Sequence, residues 1–367
     1  MRQDNNTPPI QCFPGEVVVE SVTAAPKRKK PRKSNIELVR IVAMLMILVL
    51  HTRSSSTLTL YERAVDLNVI GQFVFEAFSI IGVNLFILIS GYFGIKLSKK
   101  GVTKFVYQLY FFAILSLAAL ILTNGTLEVG IRYYVKALFP VSNTVWFVPC
   151  YLLLMLFSPI LNAYIEHATS KQLAISLGLI YLFTYYSGIV WDDFHGYSGY
   201  AAGWFVILYL TGATIRKTKH WHGKVNRYKW LLAYLLLSIL IVAVALLQYR
   251  IPFGRSMLWS YECPLVYLSS ICFFMFFVHW DMKFCHMVNW LAASSFAVLL
   301  FHIQPFSHYG DVCQYINEHT SGVLAVCAFM PCVLGYYLMA TFLDQLRIRS
   351  FKHLFLGNSS LFHCLTK

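Results

Sequence analysis

Apolar runs of roughly 20 residues recur along this chain, near 36–53, 70–95, 102–122, 145–165, 172–190, 200–215, 230–248, 263–280, 291–307 and 322–343. Each is long enough to cross about 30 Å of hydrocarbon as a helix. None alternates apolar and polar positions, as the strands of a membrane barrel do. The pattern predicts an all-α integral membrane protein, a bundle of about ten transmembrane helices. Residues 1–35 are polar and end on Lys27-Arg28-Lys29-Lys30-Pro31-Arg32-Lys33, which predicts a solvated, disordered tail. A transmembrane domain over 36–343 and a second tail over 344–367 complete the expected organisation. No soluble carbohydrate-modifying domain is expected after the last span. The first run is followed by His51-Thr52-Arg53 without a small-residue cleavage site, so it is expected to remain as a helix.

Composition agrees with that pattern: 58% of residues are hydrophobic, 16% aromatic and 13% charged, more apolar surface than a soluble domain of this size needs. Ten spans place both ends on one side, and the charges say which. With the N-terminus inside, 23 Lys and Arg fall on cytoplasmic segments and six outside, at Arg53, Arg63, Arg132, Lys136, Arg250 and Arg255. Basic loops resist translocation, so both termini are expected in the cytoplasm. The net charge of +14 then reads as a topology signal and an attraction to anionic lipid headgroups, not as a nucleic-acid surface. Among the nine cysteines no CxxC pair or Cys/His ligand spacing occurs, so packing is the expected role and no metal site is expected. No phosphate-loop glycine pattern and no internal repeat is present, which argues against an ATP-driven pump.

The first run carries two side chains that lipid tolerates poorly. RIVAMLMILVLH places Arg40 and His51 eleven residues apart, on one helix face and about 16 Å apart along the axis. An arginine at that depth costs some 2.5 kcal/mol or more unless it reaches the headgroups or a wet cavity. Two readings fit this spacing. Either the pair lines a cavity wall, or Arg40 snorkels and pairs with Glu37 one turn below while His51 is an interfacial residue.

The spacing also resembles the opening helix of the acyltransferase 3 family of integral membrane O-acyltransferases, in which an arginine, ten residues and a histidine stand in the first helix. GVNLFILISGYFGIK (82–96) resembles the family's second helix, ending in Ser-Gly-aromatic. WFVPCYLLLMLFSPILN (146–162) resembles a helix of its polysaccharide-modifying branch, and SFAVLLFHIQP (295–305) its late histidine-bearing helix. The four fragments occur in order and span residues 35 to about 343. One departure is the turn after the second span, where many members carry arginines and this chain has Lys96, Lys99, Lys100 and Lys104. Lysine offers phosphate a point charge instead of a bidentate fork, and ordinary positive-inside lysines would look the same.

The resemblance implies transfer of an acyl group, most often acetyl from acetyl-coenzyme A, to a hydroxyl of a cell-surface polysaccharide or its lipid-linked precursor, in the plasma (bacterial inner) membrane. His51 is then expected as general base, or as a transient acyl carrier. Arg40 is expected to hold a phosphate or the thioester end of the donor, with Lys99, Lys100 and Lys104 as further cofactor contacts. A polar face along the first helix would let the acyl group cross while the charged cofactor stays inside. His302, at a level similar to His51, matches the family's late histidine and joins the catalytic set. Glu262 is expected to orient an imidazole or accept from a sugar hydroxyl. Trp146 is a candidate sugar contact, with Tyr133, Tyr134 and the stretches Trp191-Asp192-Asp193-Phe194-His195 and Trp259-Ser260-Tyr261, although rings also populate every membrane interface.

Glu76, Asn84, Ser90 and Gly91 read as helix-packing residues, and His279 with Asp281 as incidental. Membrane lipid and a glycan or lipid-linked saccharide are the expected partners, with a homo-oligomer or a glycan-assembly protein left open. The main alternative is a secondary transporter or flippase of glycan, lipid or drug, which also has a polar cavity among helices, but no inverted repeat supports it.

Overall fold

The computed structural model describes residues 33–53, 57–125, 130–140, 146–190, 199–223 and 225–356. The basic run before Lys33, the Trp191–His195 stretch and residues 357–367 lie outside them. Among the described residues every regular element is helical. The principal helices are α1 (Ser34–Leu50), α2 (Leu67–Ser79), α3 (Gly82–Phe93), α4 (Lys99–Asn124), α5 (Ile131–Leu138), α6 (Phe147–His167), α7 (Ser170–Val190), α8 (Ala202–Lys217), α9 (Arg227–Leu247), α10 (Pro264–Val278), α11 (His286–Ala292), α12 (Ser295–His302), α13 (Tyr309–His319) and α14 (Gly322–Leu356).

Helix occupies part of every apolar run named above. Among the described residues five stretches are long and apolar enough to cross a membrane unaided: Leu67–Phe93, Lys99–Thr123, Phe147–His167, Arg227–Leu247 and Gly322–Leu354. The second run is divided at Ile80 and Ile81 into α2 and α3. The ninth is broken at Ala293 and Ser294 into two short helices, α11 and α12.

Local chemistry explains several starts. Asp66 accepts from the Val69 amide (2.7 Å), Ser98 from Gly101 (3.1 Å) and Asn226 from Tyr228 (3.0 Å), each satisfying a helix N–H that has no partner within the helix. Pro264 opens α10, where its missing N–H costs nothing. At the far end, helix α14 continues past residue 343, where a tail was expected. Asp344 and Arg347 are fully buried and bidentate (2.6 and 3.2 Å), and Gln108 of α4 donates to Asp344 (3.3 Å). Two opposite charges held together in this way allow the end of the helix to pack inside the protein.

The tightest crossing joins α3 and α8. A Cβ built on Gly91 would overlap the Tyr209 carbonyl, and one on Gly212 would overlap the Leu88 carbonyl, so the two backbones touch directly. Without a hydrophobic driving force between helices in lipid, such close contact is a main source of association. Asn84 adds polar glue: it donates to Tyr261 O and Ser270 Oγ (3.0 Å each) and accepts from Trp204 Nε1 (3.0 Å), tying α3 to α8 and α10. Asn84 is fully buried with these partners, which is the packing role expected for it. Gly91 in the Ser-Gly-aromatic fragment thus has a steric reason. Gly91→Ala and Gly212→Ala should each lower the thermal stability of the detergent-purified protein by the equivalent of about 2–3 kcal/mol. Gly335→Ala, where an added Cβ meets nothing within 4 Å, should leave the melting temperature nearly unchanged.

Candidate active site

His51 closes α1, its backbone N–H reaching Ile47 O (3.2 Å) and Leu48 O (3.0 Å). His302 is the last residue of α12 and is buried. The two imidazoles, 251 residues apart in sequence, meet with Nδ1 of His51 2.9 Å from Nε2 of His302 and their rings stacked at 5.0 Å.

Their protonation pattern follows from a third partner. His302 Nδ1 lies 2.9 Å from the Val298 carbonyl, which can only accept, so Nδ1 carries the proton. In the neutral ring Nε2 of His302 is then a lone pair, and His51 must donate to it through Nδ1–H. His51 Nε2 is left as a bare lone pair, the form a general base requires. Should His51 take up a second proton, its Nδ1–H would still point at an acceptor. A general base at His51 would therefore be oriented by His302, and its charged form stabilised, without a buried carboxylate at the hydrogen bond.

The turn after His302 is held as firmly as the helix before it. Ser307 Oγ donates to the His302 carbonyl (2.9 Å), and Tyr336 donates to Ser307 O (2.7 Å). Tyr309 donates to Leu48 O (2.7 Å) and packs edge-on against His302 at 5.5 Å. These bonds connect α12 and α13 to the end of α1 and α14, which fixes the distance between the two histidines. Tyr309 and Ser307 had no signal in the sequence beyond their nearness to His302.

A cavity of about 140 Å³ opens beside His51. Its walls are almost wholly apolar: Ile47, Val83 and Phe86 on one side, Phe296, Leu299 and Ile303 on another. Trp146 completes it with Tyr200 and Tyr261, in an aromatic group whose centroids are 4.5–5.8 Å apart. Trp146 thus lines the cavity beside His51. Glu262 is buried beside it, its amide donating to Ser260 Oγ (3.3 Å) and its carbonyl accepting from Tyr181 (3.0 Å), but its neighbour Tyr261 lines the cavity and Glu262 does not. Tyr261 belongs to the Trp259-Ser260-Tyr261 stretch singled out in the sequence, whereas Tyr200 had no signal there beyond that of any interfacial ring.

Arg40 stands apart from this cavity. Its Nη1 bonds Glu37 Oε2 at 2.9 Å, the local pairing that was one of the two readings of the sequence, and its side chain retains 28% exposure. On the face between Arg40 and His51 lie Met44 and Ile47, both buried. The continuous polar face is therefore filled by apolar side chains in this conformation. Lys99, Lys100 and Lys104 are exposed at the start of α4 and do not line the cavity.

No curated protein and no solved structure matches the chain. A family model does: the acyltransferase domain of the acyltransferase 3 family matches residues 33–341, covering both histidines and every residue that lines the cavity at His51. The chain belongs to that family and is a membrane acyltransferase.

Proposed function

We propose that this protein transfers an acyl group, acetyl foremost, from acyl-coenzyme A to a hydroxyl of a cell-surface polysaccharide or its lipid-linked precursor. We place it in the plasma (bacterial inner) membrane with ten crossings and both ends cytoplasmic. The observation that carries the reading is the oriented histidine pair, which leaves His51 Nε2 unprotonated beside the cavity. An alcohol is a weak nucleophile at neutral pH, and a positioned imidazole removes its proton as the oxygen attacks. The thioester C–S bond breaks, the C–O ester bond forms, and the proton passes through His51 Nε2 to the departing sulfur. Trp146, Tyr200 and Tyr261 supply flat faces on which a sugar ring can settle. Arg40 and the lysines Lys99, Lys100 and Lys104 bind the phosphates of the donor on the cytoplasmic side.

His51→Ala should abolish transfer. His302→Ala should lower kcat by about a hundredfold or more with little change in KM, because it releases the base from its orientation. His302→Gln, which can present an oxygen to the His51 Nδ1–H, should recover part of that loss. Equal rates for His302→Ala and the unaltered protein would remove His302 from the reaction.

A second pair of variants separates the two readings of Arg40. Arg40→Gln should raise KM for acetyl-coenzyme A about tenfold or more, whereas Glu37→Gln, which keeps the guanidinium, should not raise it. If both variants raise KM alike, Arg40 serves its ion pair alone.

A further inference from the structure

A second cavity of about 140 Å³ lies between α4, α5 and the turn after His302. Ile303 lines both this cavity and the one at His51, so the two meet at a single side chain. Ala113, Ser116, Leu117 and Leu120 follow one another at three- and four-residue spacing, so one face of α4 forms the wall. Ala137 of α5 and Pro305 close it from other sides. Ile303 itself caps α12, one residue after the histidine that orients the base.

The lining decides what such a space can hold. Only Ser116, Tyr133 and Gln304 among its ten residues carry polar side chains. A sugar ring enclosed here would bring several hydroxyls, and each one left without a partner costs free energy. An aliphatic chain has no such requirement and gains from leaving water. For scale, an apolar cavity of roughly 150 Å³ in another protein binds benzene, a six-carbon ring. The cavity at His51 therefore accommodates a short acyl group, and the space beyond Ile303 offers a longer one further apolar room.

We propose that the second cavity is the distal half of an acyl-chain site. An aliphatic chain whose carbonyl stands at His51 runs past Ile303 into the space bounded by Leu117, Leu120 and Ala137, and Ile303 sets the length of chain accepted. This assignment rests on the acyltransferase reading of the His51 cavity, and the test separates the two.

The full-length protein in liposomes, supplied with glycan extracted from its host, is given acetyl-, butanoyl- or octanoyl-coenzyme A, and release of coenzyme A thiol is followed. Ile303→Ala should raise the octanoyl-to-acetyl rate ratio about tenfold or more, as expected when several methylenes gain a pocket. Ile303→Val should raise it less, and supports the same conclusion if the alanine variant does not fold. Adding Leu117→Trp to Ile303→Ala, which refills the second cavity, should return the ratio toward its original value. An unchanged ratio in an Ile303 variant that still consumes acetyl-coenzyme A overturns the subsite. A shift in the glycan accepted, with the chain-length ratio fixed, also overturns it and gives the second cavity to the sugar. If the unaltered protein consumes no thioester from any donor, the acyltransferase reading falls and the subsite falls with it.

Discussion

The hydrogen bond from His51 to His302 closes the first helix onto one that lies 251 residues later, and the arrangement of the site follows from it. Its direction is set from outside, by the Val298 carbonyl that takes the His302 proton. A neutral imidazole is an unusual choice of orienting group. A carboxylate would bind the charged form of His51 more strongly, but burying it among helices would cost several kcal/mol whenever His51 was neutral. Imidazole supplies a lone pair in the same place at a much lower desolvation cost. If His51 is the base proposed for it, its resting state carries no charge, which suits a cavity walled by isoleucine, leucine and phenylalanine.

That arrangement depends on distant packing. The cavity exists only while α1, α3, α6, α8, α10 and α12 keep their separations, since Ile47, Val83, Phe147 and Phe296 come from four of them. The contact of Gly91 and Gly212 sets α3 against α8, and Asn84 anchors both to α10. The aromatic group at Trp146, Tyr200 and Tyr261 lies beside this junction, because Tyr261 O is itself an acceptor for Asn84. The rings that face the cavity and the polar glue of the bundle are therefore the same local structure. A substitution at Asn84 would disturb the site without touching any reacting atom.

Sequence patterning located the helices and both histidines but not their meeting. Periodicity reports which residues share a face of one helix, as Arg40 and His51 do, and says nothing of contacts between α1 and α12. Hydropathy likewise averages over the break at Ala293 and Ser294, where two buried serines interrupt an apolar run without lowering its mean by much. It ended the last helix too soon for the opposite reason: Asp344 and Arg347 look like the start of a solvated tail, yet each cancels the other's charge inside the bundle. Glu262 drew attention as a carboxylate at the outer start of the eighth span, while its neighbour Tyr261, in the turn that precedes α10, reaches the cavity. The filled face between Arg40 and His51 was legible only in part. Met44 and Ile47 were visible as apolar residues, but whether such residues line a passage or block it depends on what packs against them.

The apolar character of the cavity also constrains how a proton can move there. A separate imidazolium and alkoxide, or an imidazolium waiting for a leaving group, would place full charges in surroundings that stabilise them poorly. His302 offsets part of this for His51, since its lone pair faces the ring that becomes cationic, but no cation lines the cavity to hold an alkoxide. Removal of the hydroxyl proton and attack on the carbonyl are therefore expected to overlap, so that charge on oxygen never develops fully. In the proposed transfer the same reasoning favours prompt delivery of that proton to sulfur, which would return His51 to the neutral form that Val298 and His302 hold in register. Under the proposed reaction such a site would gain its rate from orientation more than from charge, through the geometry of the two rings.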